Sequence, residues 1–129
     1  MSPDHKFPAR LRIKSQKQID LLIAESSSLF AHPLILKYHI SKLPEEAETS
    51  PQLAISVPKR LFKKAHDRNL IKRRIREVYR NCWKEYIPES SNSQVLLLLV
   101  LIGKIIPEYS ELEKAIHQLL KKLGKLNVQ

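Results

Sequence analysis

The pattern of apolar and polar positions predicts three strands. Residues 34–40 alternate with period two, which is typical of a strand with one buried face. Residues 52–57 form a second short strand, and Pro58 ends it because proline has no amide hydrogen to donate. Residues 94–103 contain a continuous apolar run from 95 to 102, and the shortness of this run favours a strand buried on both faces, as parallel strands are, over a buried helix.

The first predicted helix follows Ser15. Ser15 and Gln18 have the spacing of a capping box, and apolar residues then recur three or four apart until about Ser26. Residues 1–12 precede this helix and contain two prolines, which disfavour regular structure. We therefore expect an extended arm over residues 1–12.

Two longer helices are predicted in the second half of the chain. One begins near Asp67, a suitable N-cap, and continues to about Tyr86. The other has a capping box at Ser110 and Glu113 and is expected to stop at Gly124.

The resulting order of helix, strands, helix, strand and helix predicts an α+β fold, an α/β sandwich with a small central sheet. Polar connections are expected at residues 44–51 and 88–93. The 129 residues are 43% hydrophobic, so one domain covering residues 1–129 can bury roughly two-thirds of the surface that its unfolded chain exposes.

Positive charge is concentrated in residues 59–80. This stretch holds ten of the 23 Lys and Arg residues and only two acids, Asp67 and Glu77, so it carries a formal +8 of the total +10. Such local charge is typical of a polyanion-binding face, although a basic run also fits a merely solvated helix face. At about 100° per residue the polar side chains gather on an arc of about 140° beside an apolar stripe; they are Arg68, Asn69, Lys72, Arg73, Arg76 and Arg80.

Several classes of protein are disfavoured by composition. Cys82 is the only cysteine, which excludes an internal disulfide and a multi-cysteine zinc site, and the five histidines have no metal-binding spacing. The N-terminal residues lack the apolar core of a secretory signal, and the longest apolar run is far shorter than the ~20 residues that span a bilayer. We expect a cytoplasmic protein without a membrane partner and without a metal site of its own.

The spacing of the basic residues carries more information than their charge alone. Residues 64–76 follow the pattern K-A-x-x-R-N-x-I-K-R-x-x-R, which resembles the signature of the bacterial ribonuclease P protein component family. The resemblance also includes SVPKR at residues 56–60 and begins at ARLRIKS, residues 9–15. It implies a left-handed βαβ crossover within the sandwich, which the usual handedness of such units does not predict.

The resemblance implies an accessory subunit of a ribonucleoprotein. In that family the RNA removes the 5′ leader of precursor tRNA, with divalent metal, Mg²⁺, held mainly by RNA. Two-metal hydrolysis by the protein would need clustered carboxylates, and the acids of residues 45–48 fall in a loop. We therefore expect a catalytic RNA and precursor tRNA as partners and no catalytic residue in the protein.

The family motif assigns contacts with the catalytic RNA residue by residue. The residues that match it are Lys64, Arg68, Asn69, Lys72, Arg73 and Arg76, and Lys59, Arg60 and Lys63 are expected to extend the surface. Arginine forks pair with phosphate bidentately, lysine acts as a point charge, and asparagine both donates and accepts.

The family also receives the leader in a cleft between its first helix and its sheet. Ile19 and Ile23 stand where the family has aromatic residues on that helix, and aliphatic side chains lack the stacking worth ~1–3 kcal/mol per base. On the strand the matching residue is Lys37 or Tyr38, depending on which face is core.

Two other functions remain as alternatives. A ribosome-associated or general structured-RNA-binding protein would show the same charge pattern without a role in an enzyme. A DNA-binding factor is disfavoured, because the chain has no heptad or second recognition element, and no DNA partner is expected.

Overall fold

Strand pairing and helix packing define the fold in a computed structural model that describes residues 11–13, 15–42, 51–87 and 93–126. In these residues the order is α1 (Gln16–Glu25), β1 (Ser27–Ala31), β2 (Leu34–Lys42), β3 (Gln52–Ser56), α2 (Ala65–Tyr86), β4 (Ser93–Leu101) and α3 (Tyr109–Lys125). The predicted loop at residues 44–50, the linker at 88–92 and the arm at 1–10 lie outside the described residues.

The strands of the described part form one mixed sheet in the order β1-β2-β4-β3. β2 is antiparallel to both β1 and β4, whereas β3 is parallel to β4. The β3-α2-β4 segment is therefore a βαβ unit, and the α+β prediction is confirmed. The left-handedness of its crossover stays a prediction.

β4 is buried on both faces, as predicted. Leu97 and Leu99 belong to the larger core, which α2 and α3 cover, while Leu96 and Leu98 pack with Leu22 of α1. Alternate residues of one strand thus support opposite layers.

The larger core contains an aromatic pair on α2 and a close approach of α3 to the end of α2. Tyr79 and Trp83 stack with their ring centroids 6.5 Å apart, and both side chains are buried. A Cβ on Gly124 would lie 3.1 Å from the backbone oxygen of Tyr86, so glycine lets α3 approach the end of α2 closely. Gly124 lies inside α3, and the prediction that it stops the helix is wrong.

The predicted helix starts were partly wrong. Ser15 caps α1 and its Oγ accepts from the Lys17 amide, but the side chain of Gln18 donates to Gln52 of β3 instead of completing a capping box. α2 has Lys64 as its N-cap, three residues before Asp67. α3 has Glu108 as its N-cap, so the predicted box at residues 110–113 is also wrong.

Two further differences concern the first third of the chain. β1 was not predicted, because five residues with two leading serines carry little periodicity and gain their backbone partners only from β2. Leu11 and Arg12 were assigned to an extended arm, yet Leu11 is buried in the core and Arg12 forms a bridge with Leu53.

No helix of the described residues is long and apolar enough to span a membrane.

Replacing Ile75 by alanine should lower the free energy of unfolding by about 2–5 kcal/mol, because its fully buried side chain leaves a cavity. The matched change Ile105→Ala removes a side chain that is 83% exposed and should cost under about 0.5 kcal/mol. Urea denaturation followed by circular dichroism measures both, and equal losses would contradict the packing described.

Candidate nucleic-acid interface

The two sides of α2 differ sharply in burial. Its inward side is buried against α3 and the sheet through Ile71, Ile75, Val78, Tyr79, Cys82 and Trp83. Of the predicted RNA contacts, Arg68 and Lys72 are half-buried, and the exposed ones are Lys59, Arg60, Lys63, Lys64, Asn69, Arg73 and Arg76. These nine residues, here named the cationic face, come together along one helix and the turn before it.

The turn before α2 is held by backbone hydrogen bonds and one aromatic anchor. The carbonyl oxygen of Pro58 accepts from the amides of Leu61 and Phe62 at 3.1 and 3.2 Å. The side chain of Phe62 is buried in the core, so Lys59 and Arg60 are exposed on a turn whose far end is fixed.

Arg68 has a structural role that its place in the motif did not reveal. Its Nη1 donates to the carbonyl oxygens of Phe62 and Lys63, at 2.8 and 2.9 Å. One guanidinium group therefore ties the turn to the first part of α2. Sequence spacing could not show this, because the acceptors are backbone atoms.

Two other arginines of α2 are engaged within the protein. Arg74 donates to the carbonyl oxygen of Pro107 at 2.8 Å, and Arg80 donates to both carboxylate oxygens of Glu77 at 2.9 Å. The sequence placed Arg80 on the polar arc, but its charge is balanced locally. The charge available to a ligand is accordingly concentrated toward the N-terminal half of α2.

A pocket lies where α2 meets the edge of β3. It has a volume of about 130 Å³ and contains two arginines, Arg12 and Arg76, on an otherwise apolar wall formed by Ile13, Leu53, Ala54 and Ile55. Burial lowers the pKa of Arg76, and the positive charge of Arg12 lowers it further.

The predicted cleft residues belong to α1 and β2. The side of the sheet that faces α1 is opposite to the side that α2 and α3 cover. Lys37 pairs in register with Leu98, a residue of the α1 side, and is half-buried. Ile19 is half-buried and Ile23 is 63% exposed. Lys37 and α1 therefore lie on the same side of the sheet.

Tyr38 cannot belong to that cleft. It pairs with Leu97 and packs against the core under α2 and α3, on the other face of the sheet. Of the two residues that the sequence left open, strand alternation puts Lys37 on the α1 side of the sheet and Tyr38 on the side of the larger core.

Phe30 is a residue of the cleft side that the sequence analysis missed. It pairs with Ile35 of β2, two positions from Lys37 and so on the same face, and its side chain is 56% exposed. Recognising β1 as a strand would have placed it there by alternation.

Metal-binding and nucleophilic groups are scarce in the described residues. No three of their His, Cys, Asp and Glu side chains are close enough together to hold a metal ion. Burial, followed by the charges of Glu85 and Glu113, raises the pKa of Cys82 to about 12, so the thiol is a core group. The arrangement can bind and orient an anion.

The fold and this site define a class: a small α+β protein with a cationic helix face beside a parallel strand pair. The profile of the Ribonuclease P family matches residues 7–124, and the chain belongs to that family. Membership implies the protein component of ribonuclease P, a tRNA-processing ribonucleoprotein, and therefore an RNA partner.

Individual relatives agree with this assignment. The chain is 30% identical over 125 residues to the ribonuclease P protein component of Pseudoalteromonas atlantica, covering 95% of this chain and 93% of the relative. The RNase P protein from Thermotoga maritima shares the fold with a TM-score of 0.67 at 21% identity, covering 86% of this chain and 96% of that one. The Staphylococcus aureus RNase P protein has a TM-score of 0.67 at 21% identity, with coverages of 91% and 98%.

Replacing Arg68 by alanine should lower the free energy of unfolding by about 1–3 kcal/mol, because two backbone carbonyls lose a charged donor. Arg73→Ala, on the exposed side of the same helix, should change it by less than about 0.5 kcal/mol. Both values come from urea denaturation. An Arg68→Ala protein as stable as Arg73→Ala would show that the contacts with the turn contribute nothing.

Proposed function

We propose that this protein binds the catalytic RNA of ribonuclease P through the cationic face and contacts the 5′ leader of precursor tRNA through the α1 cleft. In doing so it assists the RNA-catalysed removal of the leader that produces the mature 5′ end. The observation that carries the proposal is the placement of the family motif, residues 64–76, with its cations on the exposed side of a helix whose other side is buried.

The cationic face can bind RNA with little loss of conformational freedom. Its helix is held by the core and its preceding turn by Arg68, so the charges are arranged before the ligand arrives. Lysines and arginines gain affinity by releasing counterions condensed on phosphates. Asn69 adds a group that both donates and accepts, which suits a sugar or base edge.

The cleft combines one cation with apolar surface. Lys37 offers a charge to a leader phosphate, and Ile19 and Ile23 offer surface on which a base can pack. Aliphatic packing is weaker than aromatic stacking, which is worth ~1–3 kcal/mol per base. We therefore propose that α1 contributes less to leader binding in this protein than an aromatic pair would, and that Lys37 supplies charge and Phe30, on the same face of the sheet, supplies a stacking surface.

The chemistry is assigned to the RNA subunit. Hydrolysis of a phosphodiester with two divalent ions needs several oxygen ligands around one point, and the described acids form no such cluster. We propose that Mg²⁺ is held mainly by RNA. The protein's cations lower the phosphate repulsion that this RNA must overcome to reach its active fold.

Adding the purified protein to its cognate catalytic RNA at low magnesium should increase the rate of precursor tRNA cleavage. The increase should shrink at high magnesium, where the metal ions alone screen the phosphates. Gel analysis of the released leader measures the rate. Absence of any increase at low magnesium would refute the proposed subunit role.

Affinity for two forms of the substrate separates this role from that of a general RNA-binding protein. In the presence of the catalytic RNA, the protein should strengthen binding of precursor tRNA more than that of mature tRNA, because only the precursor has a leader. Equal strengthening of both would favour general binding of structured RNA.

Replacing Arg73 by alanine should weaken binding of the catalytic RNA and make the slope of log K against log salt concentration shallower by roughly one unit. The control Lys114→Ala removes the same charge from the exposed side of α3 and should leave the slope nearly unchanged. Filter binding at several salt concentrations measures both. Equal slopes for Arg73→Ala and the unaltered protein would remove Arg73 from the interface.

A further inference from the structure

α1 extends from one edge strand of the sheet to the other. Its start is fixed at β3, because the amide of Ile13, just before the helix, donates to the Leu53 carbonyl at 3.1 Å. Its end leads directly into β1, which begins at Ser27. The ten residues of α1 span about 15 Å, close to the ~14 Å between the outer strands of a four-stranded sheet. The helix is therefore tied to the sheet by the chain at both of its ends.

Few side chains hold α1 against the sheet between those ends. Leu22 is its one buried residue, and with partly buried Leu21 it packs in a small cluster that contains Leu96 and Leu98 of β4. Apolar contacts are not directional. They keep the helix close to the sheet but do not by themselves fix its rotation about its own axis.

Gln18 supplies a directional contact. Its Nε2 donates to Oε1 of Gln52 on β3 at 3.1 Å, and the bond is partly buried. Among the hydrogen bonds of the described residues, this is the one that joins an α1 side chain to the sheet. Gln52 pairs in register with Leu96, a member of the same cluster as Leu22, so the amide bond lies beside the apolar contact.

The two contacts lie along one row of the helix. Gln18 and Leu22 are four residues apart and therefore occupy the same side of α1. Ile19 and Ile23 form the next row, turned by about 100°. Holding the first row against the sheet therefore sets the direction of the second, in which Ile23 is 63% exposed.

We propose that Gln18 and Gln52 are positioning residues of the leader cleft: their hydrogen bond fixes the rotation of α1, and with it the surface that Ile19 and Ile23 offer to a base. Neither amide has to contact the leader for this role. The link to the leader rests on the proposed function. The rotation of α1 in the free protein does not.

The first experiment measures the rotation of α1 in the full-length protein without RNA. Residual dipolar couplings of the α1 amides vary with the helical period, and the phase of that variation reports the rotation. Gln18→Leu and Gln52→Leu should each shift this phase or reduce the amplitude, because each removes one partner of the bond. The same phase and amplitude as in the unaltered protein would overturn the positioning role.

Gln16→Leu is the matched control on the same helix. The Gln16 amide donates to Asp20 within α1 at 2.9 Å, so its replacement removes a hydrogen bond but no contact with the sheet. The phase of the α1 couplings should therefore stay unchanged. A shift as large as that of Gln18→Leu would show that the effect comes from the helix itself, and would overturn the role of the amide pair.

The second experiment measures the consequence in the holoenzyme reconstituted with the cognate catalytic RNA. Gln18→Leu and Gln52→Leu should each weaken binding of precursor tRNA with a full leader about threefold to tenfold, the range expected of one neutral hydrogen bond. Three other quantities should stay within about twofold: binding of a precursor with a one-nucleotide leader, binding of the catalytic RNA, and the cleavage rate at saturating precursor. Equal losses for both precursors would indicate a damaged fold and overturn the role.

Restoring a contact between the two positions separates positioning from damage. The double variant Gln18→Lys/Gln52→Glu keeps the net charge and replaces the amide bond by an ion pair. It should recover the phase of α1 and bring the full-leader affinity to within about twofold of the unaltered protein. Gln18→Leu/Gln52→Leu should bind no more weakly than either single variant, because each amide needs the other.

The outcomes distinguish this inference from the proposed function. A folded Gln18→Lys/Gln52→Glu protein that recovers neither the phase nor the affinity would overturn the positioning role. An unaltered protein that binds the full-leader and one-nucleotide precursors equally, while the free variants show the expected phases, would refute the assignment of the leader to this cleft and leave the rotation of α1 established.

Discussion

Burial of the apolar side of α2 is the interaction on which the rest of the structure depends. Ile71, Ile75 and Trp83 are removed from water by α3 and by the face of the sheet that includes Leu97. Because a helix is a rigid cylinder, fixing one side also fixes the direction of the other. The same contacts that stabilise the core therefore hold the cationic face outward.

The two faces of the sheet differ in how much of each is covered by helices. Its α2 side is fully used for packing, while its α1 side is covered by a ten-residue helix with Leu22 as its buried residue and keeps Lys37 and Phe30 within reach of a ligand. At the β3 edge, where these two layers meet, Arg12 and Arg76 share one pocket. Cationic side chains thus continue from α2, around the sheet edge, to the α1 side of the sheet.

Much of the fold was predictable because hydrophobic periodicity is a local property of the sequence. The alternation of β2, the continuously apolar β4 and the stripe of α2 each indicated their element and their buried side. The ends of helices were less predictable. Several neighbouring residues can serve as the N-cap, and the packing of the preceding turn decides which of them does. Lys64, in place of Asp67, is the N-cap of α2 because the preceding turn is fixed by buried Phe62 and by Arg68.

The sequence by itself determined the family motif, the local charge and the helix that presents it, since all three depend on spacing along one segment. Tertiary structure decided which arginines of α2 are also held by the rest of the protein. Arg68 donates to carbonyls of the preceding turn and Arg74 to that of Pro107, whereas the partner of Arg80 is Glu77, one turn earlier on the same helix. The tertiary structure also put Lys37 and Tyr38 on opposite faces of the sheet and brought Arg12 close to Arg76. Strand register and long-range packing depend on contacts between distant residues, which the spacing of residues along the sequence does not reveal.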